Sequence, residues 1–298
     1  MALTSDGEPM YVSDETVRAL VDEQFPHLAD RELGRRYTLE DQFAIRLGDD
    51  FGAIFPRHAD RDAMYARATE LVAGELRHWT FPSSHPIATG QPGHGFPWHW
   101  VLVPWISAST AGFVPLHAEA ARDLGDAVRQ IHRPAPAGAP VNPRTGPSLA
   151  DCEEDFEAHV TFALERGAPE NRVLDAEGAR RVFAEGRDRR IDVQPSWTHG
   201  RLEPRALLSD RGRFAGVLLW HNFGAGDPAA DLGMALNVIS LDAQTRFWAG
   251  YGTVSVDTRA RVVAHQVYAA LCFIRTEDPF LERMAWERLI ELGLAHEA

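Results

Sequence analysis

The stretch Trp197-Thr198-His199-Gly200-Arg201-Leu202-Glu203-Pro204-Arg205-Ala206-Leu207-Leu208 decides how this chain is read. A second stretch follows shortly after it: Leu218-Leu219-Trp220-His221-Asn222-Phe223-Gly224-Ala225-Gly226-Asp227-Pro228-Ala229-Ala230-Asp231-Leu232. Together they read as loop, strand, turn, strand and loop, with Gly224, Gly226 and Pro228 as turn residues. His199, Arg201, Glu203, His221, Asn222, Asp227 and Asp231 concentrate polar and titratable groups on these segments.

Working outward, residues 13–25 read as a helix capped by Ser13, with Val17, Leu20, Val21 and Phe25 at helical spacing. Over residues 36–57, Phe43, Ile45 and Leu47 alternate before a Gly48-Asp49-Asp50 turn and a second apolar run, the pattern of paired strands. Residues 60–78 have helical period. Pro82, Pro86, Gly90, Pro92, Gly93, Gly95 and Pro97 then punctuate a loop and short strand. The run from Trp98 to Trp105 is apolar and extended. Helices are expected over 115–133, 151–166, 177–187, 242–252, 255–275 and 278–294. Strands come early and helices late, which fits an α+β chain in two lobes.

The chain has 298 residues, enough for a sizeable core, and its 45% hydrophobic and 24% charged content is that of a globular protein. The first eight residues lack the basic and apolar regions of a signal peptide, so the cytoplasm is the expected compartment. No apolar run is long enough for a bilayer. Cys152 and Cys272 have no metal-type spacing and read as reduced, partly buried residues. The formal net charge of -13 argues against nucleic acid as a partner and is compatible with a cationic ligand. Every basic residue apart from histidine is arginine. The Arg-, Ala- and Gly-rich composition suggests a GC-rich bacterial genome, and no lysine can serve as clamp or base.

The chain resembles the aminoglycoside and macrolide phosphotransferases, small-molecule kinases with a protein-kinase-like fold. Five landmarks in family order carry the resemblance over nearly the whole chain. They are Arg46-Leu47-Gly48-Asp49-Asp50 with Phe55-Pro56-Arg57, the run Gly90 to Trp100, Ala139-Pro140-Val141-Asn142-Pro143-Arg144, Trp197-Thr198-His199-Gly200, and Gly226 to Leu232. The resemblance implies a two-lobed fold. A small β-rich N-lobe would span 1–103, with a hinge near 98–105. A larger helical C-lobe would span 104–298, with the catalytic loop at 197–208 and the metal segment at 217–232.

Position by position, the resemblance also implies lost chemistry. The family aspartate after His-Gly, which orients and deprotonates the acceptor hydroxyl, is here Arg201. The magnesium-binding asparagine five residues later is Ala206. The second metal ligand is Leu219. The basic phosphate clamp falls near Ile54, and the glutamate that holds it near Ala68. The turn Tyr37-Thr38-Leu39-Glu40-Asp41-Gln42-Phe43 has no glycine for close approach to phosphates, and Glu40 and Asp41 would repel them. His199, Asp227 and Asp231 would keep the frame: His199 braces the loop, and Asp231 corresponds to an aspartate that binds the loop backbone. Arg201 either pairs with a carboxylate such as Asp227 or donates to a bound anion; the pairing is preferred.

On this reading the expected function is noncatalytic binding of a natural product or antibiotic, protecting the host by sequestration. The ligand is small, cationic or aromatic. No cofactor, metal, nucleic acid or membrane partner is expected. Its pocket is drawn from Arg201, Glu203, His221 and Asn222, from Asp151, Glu153, Glu154, Asp155, Glu157 and His159 on one helix, and from Trp248, Tyr251, His265, Tyr268 and Phe273 on later ones. One alternative is an active phosphotransferase using ATP or GTP and magnesium, with Glu203 as base and His221 and Asn222 as ligands. Another is a pathway scaffold or regulatory protein.

Overall fold

A computed structural model describes residues 9–39, 41–166, 172–276 and 278–297. The N-terminal stretch 1–8 and Glu40, on which the sequence reading draws, lie outside them. The chain divides into two compact units: Ala2–Ala108 with Gly216–Phe223, and Ser109–Ala215 with Gly224–Ala298.

The first unit is built on an antiparallel sheet. Its strands are β1 (Leu33–Thr38), β2 (Gln42–Leu47), β3 (Phe51–Pro56), β4 (Ala88–Gly90) and β5 (Trp100–Pro104), in the order β1-β2-β3-β5-β4. Alternation sends Phe43, Ile45 and Leu47 to one face. There they are buried with Phe55, Trp100 and with Val17, Leu20 and Val21 of α1 (Asp14–Gln24). Ser13 caps α1 by accepting from the Thr16 amide at 3.1 Å. Gly48, at φ 58°, makes the β2–β3 turn. Ile54 points the other way, toward Val101, Val103 and Tyr65 of α2 (Asp62–Ala73). The apolar run from Trp98 to Trp105 supplies β5, between β3 and β4.

The second unit is mainly helical. Its helices are α3 (Ala121–Ile131), α4 (Glu153–Arg166), α5 (Ala176–Arg187), α6 (Pro228–Leu236), α7 (Gln244–Tyr251), α8 (Val256–Arg275) and α9 (Pro279–Glu291). The 20-residue α8 is the centre, packed by α4, α5, α6 and α9. Phe156, Phe183, Val267, Leu271 and Trp286 are buried in that core. Short strands tie the loops: β6 (Ser109–Thr110) to β9 (Leu207–Asp210) and on to β10 (Arg213–Val217), β8 (Ser196–Thr198) to β11 (Gly224–Gly226), and β7 (Arg172–Leu174) to β12 (Ala295–Glu297).

Three local expectations are corrected. Gly224 and Gly226 lie in a strand rather than a turn. A Cβ at Gly224 would sit 2.8 Å from the Asn142 nitrogen, and one at Gly226 2.3 Å from the Thr145 hydroxyl, so glycine is required by close approach. Pro228 opens α6, where loop was expected; proline suits the first helical turn because its missing N–H costs nothing there. The third late helix ends at Glu291, and the chain then returns as β12. No helix among the described residues is long and apolar enough to cross a membrane.

Candidate functional site

The loop that opens the sequence reading begins as β8, with Trp197 opposite Ala225 and Thr198 opposite Gly224. Asn142, fully buried, sits behind it. Its amide nitrogen donates to the Thr198 carbonyl at 3.1 Å, and its amide oxygen accepts from the Arg144 and Thr145 backbones at 2.9 and 3.2 Å. Gly200 turns at φ 81°, and a Cβ there would meet the Asn142 amide at 2.6 Å. Asp231, on α6, is also fully buried. Its carboxylate accepts the His199 and Gly200 amides at 2.6 and 2.7 Å and lies 3.2 Å from His132 Nε2. Burial pushes this carboxyl up, but the His132 and His199 contacts outweigh it and hold it below the usual range. His199 Nδ1 in turn accepts the Arg201 amide at 3.1 Å.

Asp227 caps α6, accepting from the Ala229 amide at 2.9 Å. Its side-chain partner is Arg261 of α8, at 2.8 Å, and not Arg201 as the sequence reading preferred. Arg261 is nine-tenths buried and also reaches the Arg190 carbonyl at 2.5 Å and Asp192 at 3.3 Å. It was the better-placed competitor, one helix away.

Arg201 does pair with a carboxylate. Its Nε lies 2.8 Å from Glu203 Oε1, and each residue is only 5% exposed. Glu203 is therefore a buried carboxylate. Burial raises its pKa, but the charges of Arg201, Arg144 and Arg205 prevail and lower it. Ala206 is fully buried and closes the turn by donating to the Glu203 carbonyl at 2.9 Å. Arg205 pairs with Asp278.

In the first unit, Leu219 adopts a left-handed backbone, φ 66° and ψ 48°. Trp220, His221 and Asn222 follow as one 3-10 turn. The His221 ring stacks on Tyr65 at 5.6 Å and 12°, and its Nε2 lies 3.5 Å from Asp41. The Tyr65 hydroxyl donates to Gln42 at 2.6 Å. Arg57 ties the β1–β2 turn down, bonding the Leu39 carbonyl at 2.7 Å through its side chain and the Asp41 carbonyl at 2.9 Å through its amide. Asp41, Gln42, Tyr65, His221 and Asn222 are all buried. Trp220 stacks on Trp79 at 4.3 Å. Ile54 packs beside Tyr65, and Ala68 is buried on α2.

The remaining candidates are spread over the second unit. Most acids of α4 and the turn before it are engaged locally: Asp151 with Ser148, Glu153 with Arg187, Glu157 bidentate with Arg180. Glu154 is exposed and Asp155 half-buried. Tyr251 lies 3.0 Å from His132 Nδ1, joining the Asp231 network, and Arg259 sits 3.7 Å over the Trp248 ring. His159 stacks on Tyr268 at 5.6 Å and lies 3.4 Å from Arg275. His265 is buried near Asp227 and Arg261, and Phe273 belongs to the core. Burial lowers both His159 and His265 to about 4. Among the described residues, no three His, Cys, Asp or Glu side chains gather as a metal site.

Sequence reasoning missed His132, Tyr65 and Arg261, and gave Asn142 no role. Asn142 lay within a quoted landmark; the other three stand in no motif.

The chain belongs to the phosphotransferase enzyme family, whose model matches residues 35–264. No curated protein sequence matches it. Among solved structures it is similar to the GDP complex of wild-type aminoglycoside 2'-phosphotransferase-IIIa, with TM-score 0.66, 16% identity, and coverage of 94% of this chain and 98% of that one. It is also similar to macrolide 2'-phosphotransferase type I, with TM-score 0.57, 15% identity, and coverage of 93% and 98%. A third is the macrolide 2'-phosphotransferase MphH apoenzyme from Brachybacterium faecium, with TM-score 0.57, 18% identity, and coverage of 92% and 98%. The fold is kinase-like, with an antiparallel sheet in the N-lobe and a helical C-lobe.

Proposed function

We propose that this protein binds a small natural product or antibiotic without phosphorylating it, and that it protects its host by holding the compound. The Arg201–Glu203 pair carries this reading. At the position that the family resemblance gives to the catalytic aspartate stands a guanidinium, buried and bonded at 2.8 Å to the nearest carboxylate. Phosphoryl transfer depends on positioning and on neutralising charge with magnesium and a cationic clamp. Magnesium takes oxygen ligands, and the side chains of Ala206 and Leu219 offer none, so these residues do not fit the ion. A general base contributes roughly 10²–10⁴ in rate. Glu203, the replacement candidate, is held ionised by three arginines, which weakens it as a base. Ile54 and Ala68, at the clamp positions, pack as core.

Isothermal titration against a panel of aminoglycosides and macrolides, without nucleotide, tests the proposal. Saturable binding at one ligand per chain supports it, and silence across the panel counts against it. Thermal shift with ATP or GTP is the complementary screen. A nucleotide at 100 times its Kd stabilises by about 2.7 kcal/mol, and no shift is expected.

The second reading is an active phosphotransferase. The family match and the similarity to solved aminoglycoside phosphotransferases holding GDP or ATP favour it. Incubation with ATP or GTP, magnesium and the same panel would then add one phosphoryl mass to a drug. That gain would overturn the noncatalytic proposal.

A further inference from the structure

Gly52 lies within β3, where a glycine weakens the strand unless something approaches its backbone closely. What approaches is the ring of Trp105. A Cβ at Gly52 would sit 2.7 Å from Cε3 of that indole and 3.1 Å from its Cζ3, so the six-membered ring rests directly on the strand. The Trp105 amide donates to the Asp50 carbonyl at 2.8 Å, which extends the β3–β5 ladder past Pro104 and anchors the residue. The Tyr37 ring of β1 lies 5.6 Å from the indole, at 38°.

These groups share one face of the sheet. Directly opposed residues on neighbouring strands point the same way. Tyr37 pairs with Ala44, and Ala44 with Ile54, so Tyr37 and Ile54 face one side. Gly52 is two residues before Ile54 and faces that side too. Ile54 is the position that the family resemblance gives to the phosphate clamp, and the turn 37–43 is the one it sets beside the phosphates. At the Ile54 end, Tyr65 packs over Ile54, Val101 and Val103, and His221 stacks on Tyr65. At the Gly52 end, Trp105 covers the strand. All of these residues belong to the first unit.

We propose that the Trp105 indole stands on this face where a purine base would lie, so that the chain shuts out nucleotides with a ring of its own. Indole and purine are both planar, fused five- and six-membered rings, so one fills a slot that would take the other. Gly52 and Ile54 are about 6.6 Å apart along the strand, which leaves room for a sugar between a base at the first and a phosphate at the second. A tethered ring competes as an intramolecular ligand, which favours it over a free base. The inference rests on the noncatalytic reading above, since an active phosphotransferase has to admit a nucleotide. It adds which residue closes the base end and what one substitution would reopen.

Trp105→Ala empties the slot and leaves the Tyr37 ring as a stacking wall. Adenosine and guanosine, which carry no phosphate and so test the base end alone, are titrated into the full-length wild type and variant by ligand-detected NMR. Free indole reports whether the slot is open, because an apolar cavity of that shape takes a matching ring. The variant is expected to bind indole, and to bind at least one nucleoside at least about tenfold tighter than the wild type does. Trp105→Leu keeps apolar packing without the flat ring, and takes the place of alanine if that variant does not fold. A folded variant that takes indole but gains no nucleoside overturns the inference and makes Trp105 a packing residue only. So does a wild type that binds a nucleoside as tightly as the variant, or a folded variant that gains no ring at all. Any of these results leaves the noncatalytic reading standing. Silence across the drug panel removes that reading and leaves this one, whereas phosphorylation of a drug by the wild type removes both.

Discussion

Residues 197–200 and 201–206 form one continuous loop, yet its two halves are held by different means. The first half is fixed through its backbone: the Asn142 amide takes the Thr198 carbonyl, and the Asp231 carboxylate takes the His199 and Gly200 amides. Those bonds hold the path of the chain, and the Thr198 hydroxyl and His199 Nδ1 add side-chain bonds to the Gly224 carbonyl and the Arg201 amide. The second half is fixed through side chains, by the Arg201–Glu203 pair and the Arg205–Asp278 pair. A loop held this way keeps its course while the chemistry it displays changes. On the noncatalytic reading proposed above, this is how a phosphotransferase fold is kept while the side chains it displays differ.

The sharpest way to break this contrast is Asp231→Ala. It leaves two buried amides without an acceptor and should cost about 3–5 kcal/mol in urea unfolding, or prevent folding. A loss under 1 kcal/mol would remove the backbone-held half of the argument. Glu203→Gln comes next. It strands the buried Arg201 charge and should cost about 2–3 kcal/mol, whereas Arg201→Leu combined with Glu203→Leu should recover most of that loss, because two apolar groups leave no unpaired charge. If the double variant is as unstable as the single, the pair does more than neutralise a buried charge.

Acidification gives a smaller effect with a defined sign. His265 has a folded pKa of about 4 against an ordinary 6.5, so between these values the unfolded chain binds the proton and the folded one does not. Its contribution is complete above pH 6.5 and is lost as pH falls toward 4. By pH 5 the loss is on the order of 1–2 kcal/mol, and His265→Gln should make the profile shallower in that window, with His159 supplying the slope that remains. The smallest expected change is a gain. Leucine in a left-handed backbone is strained, and Leu219→Asn should raise stability by about 0.5–1 kcal/mol in the same unfolding assay. A decrease would mean that the half-buried Leu219 side chain matters more than its backbone.

Much of the fold was legible because it is periodic. The Phe43, Ile45, Leu47 alternation and the helical spacing of α1 and α8 are one-dimensional signals. What escaped was held by distant partners. β7 and β12 are three residues each and pair across the length of the unit, too short for any period to register. The site divides in the same way. Arg201, directly after His199-Gly200, is visible in the string of letters. Its partner was misjudged because Asp227 and Arg261 are brought together by α6 and α8, 34 residues apart. The contact of Asp41 with His221, and the stack of His221 on Tyr65, likewise join residues with no motif in common.

The stack of Trp79 on Trp220, at 4.3 Å and 24°, makes the first unit optically self-reporting. Two indoles at that spacing couple their strongest electronic transitions and give a paired exciton band in circular dichroism, in the far-ultraviolet beside the helix signal. The band depends on residues 79 and 220 staying together, both within that unit. Its disappearance on heating can be compared with loss of helix signal, which comes mainly from the second unit, so one unlabelled sample can reveal whether the two units melt together or apart.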